Sequence, residues 1–341
     1  LERIEVMRGP SSVLFGQSGF GGVINLVSKR PLPRHHREIQ VQVGSFQRKQ
    51  VALDLTGPID SNQKWLYRVV GVGRDSNTQI RHVPQDRLMF APSLTWRPQS
   101  RTSLTILTNL QQDRSGSTIG FFPWRGTLYP HPLGQIPTET FISEPGFDEY
   151  RTDQSTIGYL FQHQFNSGWT VRQNFNYTEG TSSYQSMYTA FNPSPVFNED
   201  DRTVNRDLYI SKQNARSPVI DTQAENRFRT AFIRHTVLAG FDRQSSSVNQ
   251  RSASGSAPAI DVFNPVYGNY TVPPLLLLPK QQQSQTGIYV QDHINLGEHL
   301  SATVGIRRDW AKSETEGDPE SVNKERAWTG RAGLVSGCRR D

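Results

Sequence analysis

The chain has 341 residues, a formal net charge of +6 and a single cysteine, Cys338. Only 34% of it is hydrophobic and the mean hydropathy is -0.60, low for a large ordinary core, yet 10% aromatic residues argue against disorder. Singly scattered Arg and Lys exclude a nucleic-acid footprint, and the lone cysteine excludes an intrachain disulfide or a cysteine zinc cluster. The lack of any apolar run of about 18 residues excludes a transmembrane helix.

The first 31 residues, LERIEVMRGPSSVLFGQSGFGGVINLVSKRP, have a texture of their own. Residues 1–7 read as a strand, Arg8-Gly9-Pro10 as a sharp turn, and residues 23–27 as a second strand. Between them Gly16, Gly19, Gly21 and Gly22 supply positive φ and close backbone approach, as a compact head requires. A polar, proline-bearing linker follows over residues 32–37.

From residue 38 the pattern is alternation at short spacing. Residues 38–43 place Ile39, Val41 and Val43 on one face and Gln40 and Gln42 on the other, and residues 50–56 repeat this after a turn at Gly44-Ser45. Further strands are predicted over 65–74, 87–97, 103–112, 156–165, 169–178, 228–244, 287–296, 299–311 and 327–335, with a weaker candidate over 202–213. In residues 103–112, Leu104, Ile106 and Leu110 face one way and Thr105, Asn109 and Gln111 the other. The sum is roughly a dozen strands of about ten residues, the length a tilted strand needs to cross a bilayer.

Connections alternate in length. Those at 98–100 and 166–168 are short, whereas 114–151, 181–201 and 245–284 are long, and residues 275–278 read as proline-bracketed loop. Structureless loops of that size are unusual in compact soluble domains, but one short and one long side is the pattern of an outer-membrane barrel. Trp65, Trp96, Trp169, Trp310 and Trp328 near strand ends suit interfacial girdles, beside the plainer reading of each as a core residue. The soluble alternatives are a β-propeller and an extracellular β-rich binding protein or hydrolase; a propeller should repeat every 40–50 residues or so, and no such period exists. Nucleophile-elbow, zincin and phosphate-loop motifs are absent, so no enzyme is expected. His35, His36, His131, His163, His235 and His293 lack ligand spacing and read as solvated or lumenal; no metal site is expected.

The head resembles the end of the plug domain of TonB-dependent outer-membrane receptors, which runs ERIEV-x-RGP-x-S-x-L-aromatic-G and then GGVIN-x-V-x-KRP. The remainder resembles the ferrichrome-type, hydroxamate-siderophore branch. The segments that carry this are GFFPW (120–124), DEYRTDQSTIGYLFQHQFNSGWTVRQNFNY (148–177), RHTVLAGFD (234–242), FNPVY (263–267), QTGIYVQD (285–292) and VGIRRDW (304–310). The resemblance implies an all-β transmembrane antiparallel barrel of about 22 strands filled by the plug. Residues 1–31 would then end the plug, 32–37 link, and 38–341 form the N-terminal part of the barrel. It further implies a monomer in the Gram-negative outer membrane that takes up a ferric siderophore with energy from TonB. Iron would arrive already chelated, so no cofactor is implied.

By the same resemblance most of the plug and the TonB box precede Leu1, and more strands follow Val335. The chain is therefore expected to be partial, unable to close a barrel or transport alone. Another cargo, such as a different siderophore, cobalamin or a glycan, and a passive porin-like channel stay open as alternatives.

Site residues also follow from the resemblance. Arg8 would face the wall and pair with barrel carboxylates through charge-assisted bonds; the plainer reading is an arginine capping its own turn. Gly9, Gly16, Gly21 and Gly22 would be plug turn positions. Phe122, Trp124 and Tyr188 would line the siderophore vestibule, offering apolar area with hydrogen-bonding edges; the plainer reading is girdle or loop packing. Phe122 and Ala190 stand where the branch has tyrosine, which leaves room for a ligand other than ferrichrome.

Overall fold

A computed structural model describes the chain except for residues 9–15, 17–21, 192–195, 298–299 and 337–341. Gly9, Gly21 and Cys338 therefore lie outside the described residues. The head is a two-stranded antiparallel ribbon, β1 (Arg3–Arg8) and β2 (Gly22–Val27), with Arg8 opposite Gly22.

The rest is one twelve-stranded antiparallel meander, with each strand bonded to its sequence neighbours. Its strands are β3 (His36–Gly44), β4 (Arg48–Pro58), β5 (Trp65–Asp75), β6 (Gln85–Gln99), β7 (Thr102–Ser115) and β8 (Glu149–Gln164). They continue as β9 (Thr170–Thr189), β10 (Thr203–Thr230), β11 (Ile233–Asp261), β12 (Leu276–Leu296), β13 (Leu300–Thr315) and β14 (Asp318–Ser336). At one end all the connections are brief, as at residues 59–64 and 100–101. At the other, residues 116–148, 190–202 and 262–275 form long excursions.

Alternation separates two faces. Ile39, Val41, Leu88, Phe90, Ile106, Ile157, Ile288, Val290, Val304 and Ile306 form an exposed apolar band on one of them. Aromatic belts flank it. Trp65 and Trp96 stack at 5.9 Å by the short turns, and at the far edge Trp310 and Trp328 hold the Arg308 guanidinium between them at 5.8 and 5.1 Å. Leu300 and Trp310 lie at opposite ends of this band on β13, about 33 Å apart along the strand and some 25 Å in height at the usual tilt. That matches the hydrocarbon layer of a membrane. The opposite face is concave toward the head, which meets it across a cavity of about 980 Å³ lined by Leu1, Leu26, Lys29, Asp54, Asn174 and Asn176, among others.

Several predicted boundaries are corrected. Residues 228–244 are not one strand: β10 ends at Thr230 and β11 begins at Ile233, across a turn in which Ala231 takes φ 54°. No Gly, Pro or Asn marks that turn. The predicted loops 181–201 and 245–284 shrink because β9, β11 and β12 run far beyond the apolar band, and β10 and β11 reach 28 and 29 residues. Residues 276–278 are strand, paired with β11 past a bulge at Val248/Gln250. The extensions of β11 and β12, around residues 243–256 and 280–286, are rich in Ser and Gln, so no apolar period-two signal marks them.

The long excursions are not loose. Ile136, Ile142, Val204, Ile260 and Val262 form one small core, against which Phe122 packs, and Phe147, Met187, Leu208, Ile210 and Ala253 form a second. His131, expected to be solvated or lumenal, is buried between the Phe197 and Phe263 rings at 4.7 and 5.0 Å, and its Nδ1 accepts the Leu133 N–H.

The inner wall as candidate functional site

The concave face carries three levels of chemistry, ordered from the short turns upward by the strand register. At the bottom the linker is clamped to the wall. Arg68 donates to both Asp54 oxygens at 2.8 and 2.7 Å and to the Arg30 carbonyl at 2.9 Å, and Lys29 reaches Asp54 at 2.5 Å. Glu2 of the head lies 3.7 Å from Arg68, and the Thr56 hydroxyl accepts the Leu32 N–H. His36, Glu38 and Asp54 offer ligand atoms within 4.8 Å of one another, closer than their sequence pattern suggests. With two cations already on Asp54, this grouping is an electrostatic clamp.

On the opposite part of the wall Arg307, fully buried, donates to Asp242 at 2.5 and 2.8 Å and to Asp309 at 2.9 Å. Gln285 also bonds Asp309, and Tyr289 donates to Asp221 at 3.1 Å while lying 5.4 Å under the Arg307 guanidinium. Gly287 leaves the volume that this guanidinium fills, since a Cβ there would overlap it. Gly16 of the head, at φ +72°, seats directly on this level; a Cβ would strike Gln285, Arg307 and Asp309. Close approach of the head's backbone to a charged wall is thus what that glycine provides.

The upper level is aromatic. On β9 the alternation that sends Asn174 and Asn176 inward also sends Tyr184 and Tyr188 inward, with Tyr150 of β8 and Tyr209 of β10 beside them. Tyr184 meets Tyr150 edge-on at 5.8 Å and Tyr209 at 6.2 Å. Tyr188 contacts Phe121 at 5.7 Å and Phe191 at 6.1 Å. Burial and the neighbouring Asp207 carboxylate push the Tyr188 hydroxyl up from its ordinary value, so it stays protonated and able to donate.

The sequence-derived residues fall unevenly on this map. Tyr188 is in the aromatic level. Phe122 is half-buried in a loop core, and Phe121, at φ 52°, presents the ring beside Tyr188. Trp124, in the same loop, is 67% exposed, with Tyr129 as its ring neighbour at 6.3 Å. Arg8 is exposed on β1, and among the described residues it forms no ion pair. Gly22 takes φ +130°, and a Cβ there would collide with the Met7 carbonyl. Tyr150, Tyr184, Tyr209, Phe121 and Phe191 were missed; two-residue spacing on β9 would have found Tyr184 from Tyr188.

Residues 94–335 match the model of the TonB dependent receptor-like β-barrel. The chain is 32% identical to the ferrichrome outer membrane transporter/phage receptor of Escherichia coli K12, over 95% of its own length and 45% of the relative's. It is 34% identical to the ferrioxamine B receptor of Salmonella typhimurium, over 91% and 43%. It thus spans less than half the length of these curated relatives. Among solved structures, the ferric preacinetobactin receptor of Acinetobacter baumannii superposes with a TM-score of 0.83 at 16% identity, covering 98% of this chain and 50% of that one. The ferripyoverdine receptor of Pseudomonas aeruginosa superposes at 0.82 and 16%, covering 98% and 44%. The chain therefore belongs to the TonB-dependent receptors, and its meander is their β-barrel wall.

Proposed function

We propose that this chain supplies wall and plug end to an outer-membrane receptor that imports a ferric siderophore of the hydroxamate class, driven by TonB. The observation that carries this reading is the inward aromatic level at the long-loop end, Tyr150, Tyr184, Tyr188 and Tyr209 with Phe121 and Phe191. Rings with hydroxyl edges suit a bulky neutral chelate that has both apolar and hydrogen-bonding surface. The printed names of the similar proteins, ferrichrome and ferrioxamine B receptors, support the same cargo class.

Transport makes and breaks no covalent bond in this reading, so the wall needs binding groups and no catalytic set. Iron is cargo, already wrapped by its chelator, and no wall residue is assigned to it as a ligand. The head seats on the wall through charge-assisted contacts, Lys29–Asp54 and Glu2–Arg68, and through Gly16. Polar contacts of this kind hold a plug that must move better than an apolar interface would. The outward apolar band and its two aromatic belts are the lipid-facing surface.

The test is binding of ferric ferrichrome and ferric ferrioxamine B to outer-membrane vesicles holding the complete gene product. Saturable binding that weakens in Tyr184→Ala and Tyr188→Ala is expected. Absence of saturable binding for every ferric hydroxamate tried would sink the cargo assignment.

A further inference from the structure

Between the aromatic level and the charged level lies a cavity of about 420 Å³ on β10 to β14. Two adjacent cross-strand rows build it. The upper row runs Ser246, Gln283, Ser313 and Asn323, with Ser217 beside Ser246; the lower runs Gln244, Gln285, Ala311 and Glu325. The alternation that turns Asp242 and Asp309 inward turns both rows inward too. The lower row rests on the place where Gly16 of the head seats, since Gln285 contacts that glycine. Ser217 lies six residues below Ser211 on β10, which is the position opposite Tyr184. The cavity is thus about 20 Å below the aromatic level along the strand.

Its lining is amide and hydroxyl. Gln244 donates to Gln285, and Gln285 to Asp309, which fixes the lower row. In the upper row the side chains of Ser217, Ser246, Gln283 and Ser313 form no hydrogen bond within the described residues. Each of them can both donate and accept. Asn323 bonds Glu325, the single carboxylate that lines the cavity, and Lys312 is held by Glu314 at 2.5 Å.

We infer that this Ser/Gln row is a second recognition subsite, which takes the amide- and hydroxyl-bearing periphery of the chelate as it moves from the aromatic level toward the plug. The inference rests on the cargo reading above. Aromatic rings bind a chelate's apolar face with little regard to its periphery, whereas open amides and hydroxyls read donors and acceptors. Glu325 beside the row disfavours a carboxylated ligand by like-charge repulsion, so the subsite selects neutral or cationic polyamides.

The experiment uses the complete gene product in outer-membrane vesicles, with ferric ferrichrome as probe and fluorescence quenching as readout. Ser246→Val with Gln283→Leu keeps strand propensity and volume but removes the row's hydrogen bonding. A rise in Kd of about tenfold is expected, as for losing one or two net hydrogen bonds. Gln283→Ala alone, which truncates an exposed side chain, guards against misfolding of the double variant; it should weaken binding about threefold. Ser247→Val, on the outer face next to Ser246, should leave Kd within about twofold. Wild-type Kd in both Gln283 variants would overturn the subsite and leave the cargo reading standing. No binding of ferric hydroxamates by wild type would overturn both.

Discussion

Arg206 and Glu144 form an ion pair at 2.9 Å with side chains only 2% and 1% exposed. The remaining valences are filled: Arg206 donates to the Ile142 and Pro258 carbonyls at 2.8 and 2.7 Å, and Glu144 accepts the Gly268 N–H at 2.8 Å. The guanidinium thereby ties loop 116–148 to β10 and β11, and Glu144 joins loop 262–275 to the same pair. Removing one partner of such a pair leaves a buried charge and costs about 3–5 kcal/mol. Glu144→Ala is expected to expose residues 116–148 and 262–275 to hydrogen exchange and protease while the barrel strands stay protected. Glu144→Gln, which still accepts from Gly268, should show a smaller effect. Equal protection in Glu144→Ala would show that the loop cores hold without the pair.

Asp148, at the end of the same loop, gives that cap a pH dependence. Its carboxylate accepts from the Ser117 N–H at 2.6 Å and the Ser186 hydroxyl at 2.6 Å, but burial outweighs both and raises its pKa above the ordinary value. The folded state then holds the proton more tightly than the unfolded one. Stability from this group is full below the unfolded pKa of about 4 and is lost as pH rises through the higher folded value. Loop protection is therefore expected to fall as the pH rises above about 4. Asp148→Asn, which keeps an acceptor for Ser117, should flatten that slope; a slope that persists in the variant would assign it to another group.

The head–wall seat makes a sharper demand. Gly16 combines φ +72° with three wall side chains in the space of a Cβ. Gly16→Ala carries backbone strain of about 1–2 kcal/mol before any clash is counted. It should loosen the head from the wall without unfolding the barrel. In cells making the complete gene product, the measurement is sensitivity to bulky antibiotics, which is expected to rise, with unchanged receptor abundance. Gly287→Ala, whose Cβ falls on the Arg307 guanidinium, should do the same by displacing that arginine. Unaltered permeability in both would separate the seat from retention of the head.

The lipid-facing part of the fold was legible because each strand there must be apolar on one side. Val41, Ile106 and Leu110 announce their face from period two alone. Beyond the bilayer that requirement ends, and QQQSQ at 281–285 and SSS at 245–247 look like loop although they pair on both sides. For the same reason the polar cavity was invisible in sequence. The aromatic level was half legible: resemblance pointed to Tyr188, but placing Phe121 rather than Phe122 beside it depends on a positive φ at a non-glycine residue. No local pattern encodes that.

Trp124 and Tyr188 can be told apart by one pair of variants. Trp124 is largely exposed and contacts the Tyr129 ring, so Trp124→Ala should leave loop protection and thermal stability unchanged to within about 0.5 kcal/mol. Tyr188 is half-buried against Phe121 and Phe191, and Tyr188→Ala should cost about 1–2 kcal/mol locally through lost ring contacts. Tyr188→Phe keeps the ring and removes only a hydroxyl that burial keeps protonated. If Tyr188 donates to the chelate, Tyr188→Phe should weaken ferric ferrichrome binding about three- to tenfold with loop protection intact. Trp124→Ala then reads that exposed ring alone. A loss of affinity there, with no loss of protection, would move the ligand's first contact from the aromatic level to the exposed Trp124 ring.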